Sequence, residues 1–213
     1  MPMTSIFRNR GADNIATFSF SEISSGVGYV EFYLGYVGNG DQRLILVPQD
    51  NSQVFRSFSP TEQASPVLAL DHDYDFEIQD TVTFEGEAYI NVPIAAHNTG
   101  TTNDISIYII AKIRKWNGSS ETDLSSGGQS ATLNLGATSE EYSITQCNPD
   151  ISRTTFKKGE TLRVTIEVWY SAPASTAGTV KYATNPANRT NSWDSSGAVP
   201  SRSTVWLPII LET

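Results

Sequence analysis

The sequence predicts an all-β fold, a jelly-roll-like antiparallel β-sandwich with long surface loops and little helix. Three observations carry that prediction. The 213 residues include 13 Val, 17 Ile and 22 Thr against only 11 Leu, and branching at Cβ suits a pleated, half-buried surface while crowding a helix. Two segments alternate apolar and polar residues almost without error. Turn-forming Gly and Asn residues separate most of the remaining apolar runs.

The alternating segments set the pattern. In 162–170 the even positions Leu162, Val164, Ile166 and Val168 are apolar, while Arg163, Thr165 and Glu167 point the other way, as a strand with one wet face requires. In 105–114 the residues Ile105, Ile107, Ile109, Ala111 and Ile113 share a face opposite Ser106, Tyr108, Lys112 and Arg114, with Ile110 the one large aliphatic exception. Weaker strands are predicted at 15–20, 27–37, 43–47, 67–70, 74–84, 87–92, 131–135, 141–145, 179–183 and 204–211. Gly38-Asn39-Gly40, Glu85-Gly86, Asn117-Gly118, Gly127-Gly128 and Lys158-Gly159 supply turns between them, since glycine and asparagine tolerate positive φ. One short helical turn is expected around 59–64. The segments 117–130 and 185–203 read as long loops. The organisation that follows is an N-terminal arm, 1–11, and a single sandwich domain, 12–213, a size usual for all-β domains.

Charge narrows the function classes. The formal net charge is −9, and an acidic surface is repelled by phosphate backbones and anionic headgroups, so neither nucleic acid nor membrane is an expected partner. No run approaches the length of a membrane span, and no apolar stretch follows Met1–Arg10 as a secretory signal would require. A single cysteine, Cys147, rules out a disulfide framework within the chain and a multi-cysteine metal site. No glycine-rich phosphate loop occurs, so no nucleotide cofactor is implied.

The acids are unevenly spread: residues 1–106 carry 14 acids and 4 bases, residues 107–213 carry 9 acids and 10 bases. Asp71, Asp73 and Asp75 lie at alternate positions and so share one face of an extended segment. Three carboxylates on one face suit a hard cation such as Ca2+, although the spacing is not that of an EF-hand, where Phe76 and Val82 stand at the required Gly and Glu positions. A solvated acidic edge that discourages sheet-to-sheet aggregation, or a face docking a basic partner, accounts for the same residues.

Catalytic signatures are sparse, and the sequence reads as a non-enzyme. His72, between Asp71 and Asp73, has carboxylates to orient it as a base, but neither it nor His97 accompanies a nucleophile motif. Trp169 and Tyr108 are expected on the face opposite the aliphatic stripes. Such exposed aromatics fit an intersubunit contact or a ligand platform, and sugar stacking on Trp116, Trp169 or Trp193 makes a carbohydrate-binding sandwich the alternative function. Arg189, Trp193 and Arg202, in or beside the 185–203 loop, are residue types enriched at protein interfaces. Arg8 and Arg10 make the arm a candidate anchor.

Phe156–Tyr170, Val180–Arg189 and Gly26–Tyr33 together resemble stretches of structural proteins of tailed phages and environmental viruses. The resemblance implies a non-enzymatic protein that decorates or cements a capsid, bound to the major capsid protein or other virion proteins through its loops and terminus. It also implies residence in the virion and a symmetric oligomer, a homotrimer foremost, without any obligatory cofactor.

Overall fold

Alternation decides the burial of the two strongest strands. In the computed structural model, β7 (Ile105–Trp116) buries Ile105, Ile107, Ile109, Ala111 and Ile113 completely. The strand β13 (Thr161–Ala172) does the same with Leu162, Val164 and Ile166. These two lie antiparallel, with Val168 beside Ile109 and Val164 beside Ile113, so both aliphatic stripes fall on one side of a common sheet. Each such side chain taken out of water contributes about 1.5–3 kcal/mol, which fixes the register because a one-residue slip would expose the whole stripe.

The structure describes residues 27–37, 41–47, 55–99, 104–136, 139–172, 177–186 and 202–210. Besides β7 and β13, the strands are β1 (Val27–Val37), β2 (Asp41–Ile45), β3 (Phe55–Phe58), β4 (Gln63–Glu77), β5 (Val82–Glu87) and β6 (Tyr89–Asn98). These are followed by β8 (Glu121–Asp123), β9 (Gly128–Gln129), β10 (Leu133–Leu135), β11 (Glu141–Cys147), β12 (Asp150–Phe156), β14 (Gly178–Ala183) and β15 (Thr204–Ile210). The order across the sheet is β10-β7-β13-β4-β2-β1-β15-β6-β14-β3. Its first five strands form one layer and its last five the other, joined where β2 pairs with β1. The inward faces meet in one continuous apolar core that includes Ile166, Tyr74, Phe32, Leu207, Ile94 and Tyr182, which is an all-β sandwich.

The pairing is antiparallel except where Arg43 of β2 lies beside Asp75 of β4 in a parallel contact. No described residue is helical: the turn expected at 59–64 is extended chain that runs into β4. Its Thr61 amide donates to the Tyr170 hydroxyl at 3.2 Å, a tertiary hydrogen bond that ties this segment to β13. The expected break between 70 and 74 is absent, and β4 runs through Asp71, His72 and Asp73 as one 15-residue strand along β13. The expected loop 117–130 holds two short strands, β8 and β9, both paired with β7. The arm 1–11 lies outside the described residues, as does the expected strand 15–20. No helix among the described residues is long and apolar enough to cross a membrane.

Candidate functional site

The outward faces of β4, β13 and β7 form a ladder of polar and aromatic tiers. Register places Asp75, Arg163 and Arg114 side by side, then Asp73, Thr165 and Lys112, then Asp71, Glu167 and Ile110, and last Leu68, Trp169 and Tyr108. Two-residue periodicity points the β13 and β7 members and Asp71, Asp73 and Asp75 the same way, and the bulge between Leu70 and Leu68 brings Leu68 into the last tier.

Arg163 organises the charged end. Its Nε and Nη2 donate to both carboxylate oxygens of Asp75 at 2.7 Å, and its Nη1 reaches Glu121 of β8 at 2.5 Å and Asp73 at 3.1 Å. Trp116 lies under the same guanidinium, whose centre is 4.7 Å from the ring centroid. Arg114 donates to Asp123 at 2.8 Å and to Glu121 at 2.9 Å, and the Thr165 hydroxyl donates to Asp73 at 2.6 Å. The arginine–carboxylate bonds among these, with both partners charged and one pair two-pronged, are the strong class.

At the other end Glu167 is almost buried and accepts from Lys112 and, at 3.0 Å, from Trp169 Nε1. Burial by itself would raise the Glu167 carboxyl, but these two donors outweigh it and hold it below its ordinary range. Asp71, directly across from it, is raised by partial burial and then by the neighbouring Asp73 and Glu167 charges. The rings of Tyr108 and Trp169 are parallel within 4°, with centroids 6.2 Å apart. Leu68 beside them is 44% exposed.

Asp71, Asp73 and Asp75 therefore share one face, as alternation requires. Arg163 spans Asp73 and Asp75, and among the described residues no group of three His, Cys, Asp or Glu side chains is arranged to hold a metal ion. Arg202 stacks its guanidinium over Tyr33 at 5.3 Å, with a buried Nε that has no hydrogen-bond partner among the described residues. Arg8, Arg10, Arg189 and Trp193 lie outside the described residues.

His72 points inward. Its Nδ1 is 2.5 Å from the Tyr182 hydroxyl, which is 2.8 Å from the Tyr74 hydroxyl, and Arg56 donates to its Nε2 at 3.4 Å. Burial and then the Arg56 charge bring its pKa down to about 4, so at neutral pH it is an uncharged post between the two layers. This hydrogen-bond chain was invisible to sequence reasoning because its members come from β4, β14 and β3. Cys147 is buried, its thiol pushed up to about 12 by desolvation, which leaves it unreactive. Among the described residues neither histidine is hydrogen-bonded to a serine, threonine or cysteine.

No family model matches the sequence, and no curated protein does. Solved structures do resemble it. An aminopeptidase from a marine sediment archaeon, a thaumarchaeote, superposes with a TM-score of 0.53 at 12% identity over 87% of this chain. A CocE/NonD family hydrolase from Staphylococcus aureus gives 0.52 at 13% identity over 86%, and an α-amino acid ester hydrolase gives 0.50 at 13% identity over 84%. This chain spans 37%, 37% and 36% of those chains, in that order. The VP2 capsid protein of infectious bursal disease virus superposes at only 0.28, with 11% identity over 88% of this chain and 38% of its own, too loosely to carry an argument. These superpositions correct the expectation of a non-enzymatic virion protein. The better fits are to hydrolases, so capsid decoration gives way. At such identities the likeness is one of fold: the chain has the β-architecture found within part of those hydrolase chains.

Proposed function

We propose that this sandwich is the all-β part of a hydrolase acting on ester or amide bonds of amino-acid derivatives, with the bond-breaking residues supplied by a companion catalytic unit. The observation that carries this reading is the superposition of most of the chain on little more than a third of an aminopeptidase and of a CocE/NonD family hydrolase. The chemistry of the described residues supports the division of labour. Nucleophilic hydrolysis needs a nucleophile within hydrogen-bond reach of a base, whereas His72 is committed to Tyr182 and Arg56 and Cys147 is buried. The salt-bridged β4–β13–β7 face is built for rigidity.

The test compares the recombinant chain with chain recovered under native conditions from its natural source. Both are assayed on an amino-acid p-nitrophenyl ester and an aminoacyl p-nitroanilide. The recombinant chain is expected to be inert, and the native preparation to hydrolyse one substrate class in constant proportion to the chain through purification. Absence of hydrolysis from both preparations contradicts the reading.

A further inference from the structure

In the layer that holds β1, Tyr33 stands between an acid and a base that do not pair with each other. Its hydroxyl donates to Glu31 Oε2 at 2.8 Å, and the Arg202 guanidinium lies over its ring, 5.3 Å from the centroid. Burial, and then the bond to Glu31, push the Tyr33 phenol up to about 12, so it stays protonated and keeps donating. Neither charge is otherwise met. Among the described residues Glu31 accepts from no basic side chain, and Arg202 makes no hydrogen bond or ion pair although its Nε is buried. Buried polar atoms are nearly always bonded, and an unmet donor on a charged group is the costlier kind. In a chain with 23 acids and 14 bases carboxylates are plentiful, so a half-buried arginine without one calls for an acceptor from outside the fold.

Register gathers the neighbouring groups around the same spot. Glu31, Trp206 and Tyr89 lie side by side on β1, β15 and β6, and the next tier is Tyr33, Thr204 and Asn91. The Leu34 amide donates to the Ser203 carbonyl at 3.2 Å, which keeps the chain at Arg202 alongside β1. Asn91 donates to Thr204 Oγ1 at 3.3 Å, so the Thr204 hydroxyl keeps its own proton to donate. Trp206 is partly exposed, while Tyr89 beside it packs on Tyr29 with centroids 5.7 Å apart.

We propose that Glu31, Arg202 and Trp206 bind a free aromatic α-amino acid as its zwitterion. The ammonium goes to Glu31, the carboxylate to Arg202 and Thr204, and the aromatic side chain to Trp206. An α-amino acid carries both charges on one carbon, so it spans two groups that Tyr33 holds close but out of contact. Charge-assisted hydrogen bonds at both ends, together with stacking on the indole, favour this ligand over one that carries either charge alone. The inference goes beyond the hydrolase reading and does not depend on it.

The experiment is isothermal titration calorimetry of the intact protein with L-phenylalanine, with phenethylamine, which lacks the carboxylate, and with 3-phenylpropionate, which lacks the ammonium. Far-ultraviolet circular dichroism verifies the folding of each variant. L-Phenylalanine is expected to bind saturably, and each single-charge analogue at least tenfold more weakly. Arg202→Gln should bring L-phenylalanine down to the level of phenethylamine, and Glu31→Gln down to that of 3-phenylpropionate. Trp206→Leu should weaken all three ligands. Absence of saturable binding by L-phenylalanine overturns the proposal. So does equal binding of a single-charge analogue, or binding of L-phenylalanine that folded Arg202→Gln and Glu31→Gln leave intact.

Discussion

Tyr182 of β14 and Tyr74 of β4 share a 2.8 Å hydrogen bond between their hydroxyls in the middle of the sandwich, although the two strands belong to different layers. Both phenols are fully or almost fully buried, and His72 extends the chain on the Tyr182 side. Desolvation pushes both phenols well above their ordinary pKa, so they are neutral and act as donor and acceptor. The polar chain thus couples the two layers at a point where a mispaired sandwich would leave several buried groups unsatisfied.

Tyr182→Phe removes the hydroxyl that both His72 and Tyr74 use. Leaving buried polar groups without a partner costs about 1–3 kcal/mol each, and urea unfolding should show a loss of that size with an unchanged m-value. The double variant Tyr74→Phe/Tyr182→Phe should lose less than the sum of the single losses, because the two residues serve one bond.

His72 makes stability depend on pH. Its pKa is about 4 in the folded protein against 6.5 ordinarily, so between those values the unfolded chain binds the extra proton. The corresponding stability is fully present above about pH 6.5 and is lost as pH falls toward 4. The ring is partly exposed, and solvent screening trims the contribution to about 1–2 kcal/mol. Urea midpoints measured from pH 7 to 4 should fall less steeply in His72→Gln than in the wild type, and parallel slopes would refute the assignment.

Arg163 holds Asp75 with two bonds and reaches Asp73 and Glu121 with a third nitrogen. Arg163→Ala should cost about 2–3 kcal/mol by taking both bonds from Asp75 and leaving Asp73 and Glu121 with only Thr165 and Arg114, the range expected when hydrogen bonds to charged groups are lost. Arg163→Lys should recover less than half, since an ammonium cannot span a carboxylate. Thermal unfolding of the three proteins checks the order.

Gly178 pairs with Asn98 where β14 meets β6. A Cβ there would lie 1.8 Å from the His97 carbonyl oxygen, and that atom is backbone, so the clash cannot be relieved by a rotamer change. Gly178→Ala should therefore part the two strands locally. Hydrogen exchange should show loss of protection for β14 amides while β13 amides stay protected.

Much of the fold is legible in the sequence wherever one strand face is buried and the other wet. Ile105–Ile113 and Leu162–Val168 announce their inward stripes, and Trp169 and Tyr108 fall on the outward face as alternation demands. β3, β8, β9 and β12 are not legible, because each is short or mostly polar and exists by pairing with a stronger neighbour. The shared face of Asp71, Asp73 and Asp75 can be read from spacing. Their engagement cannot, because Arg163 and Thr165 lie about ninety residues further along the chain, and only strand order brings them together. The virion function that the resemblance implied is overturned for a related reason: strand and turn motifs mark a β-sandwich, and a sandwich serves many functions.

The central claim, that this sandwich belongs to a hydrolase, is tested most directly by native mass spectrometry of the chain recovered from its natural source, with each resolved species assayed for ester and anilide hydrolysis. Hydrolysis should reside in a species containing this chain together with a larger catalytic portion, joined covalently or by association. Recovery of the chain without any such portion, and without hydrolysis in any species that contains it, would show that the sandwich is not part of a hydrolase.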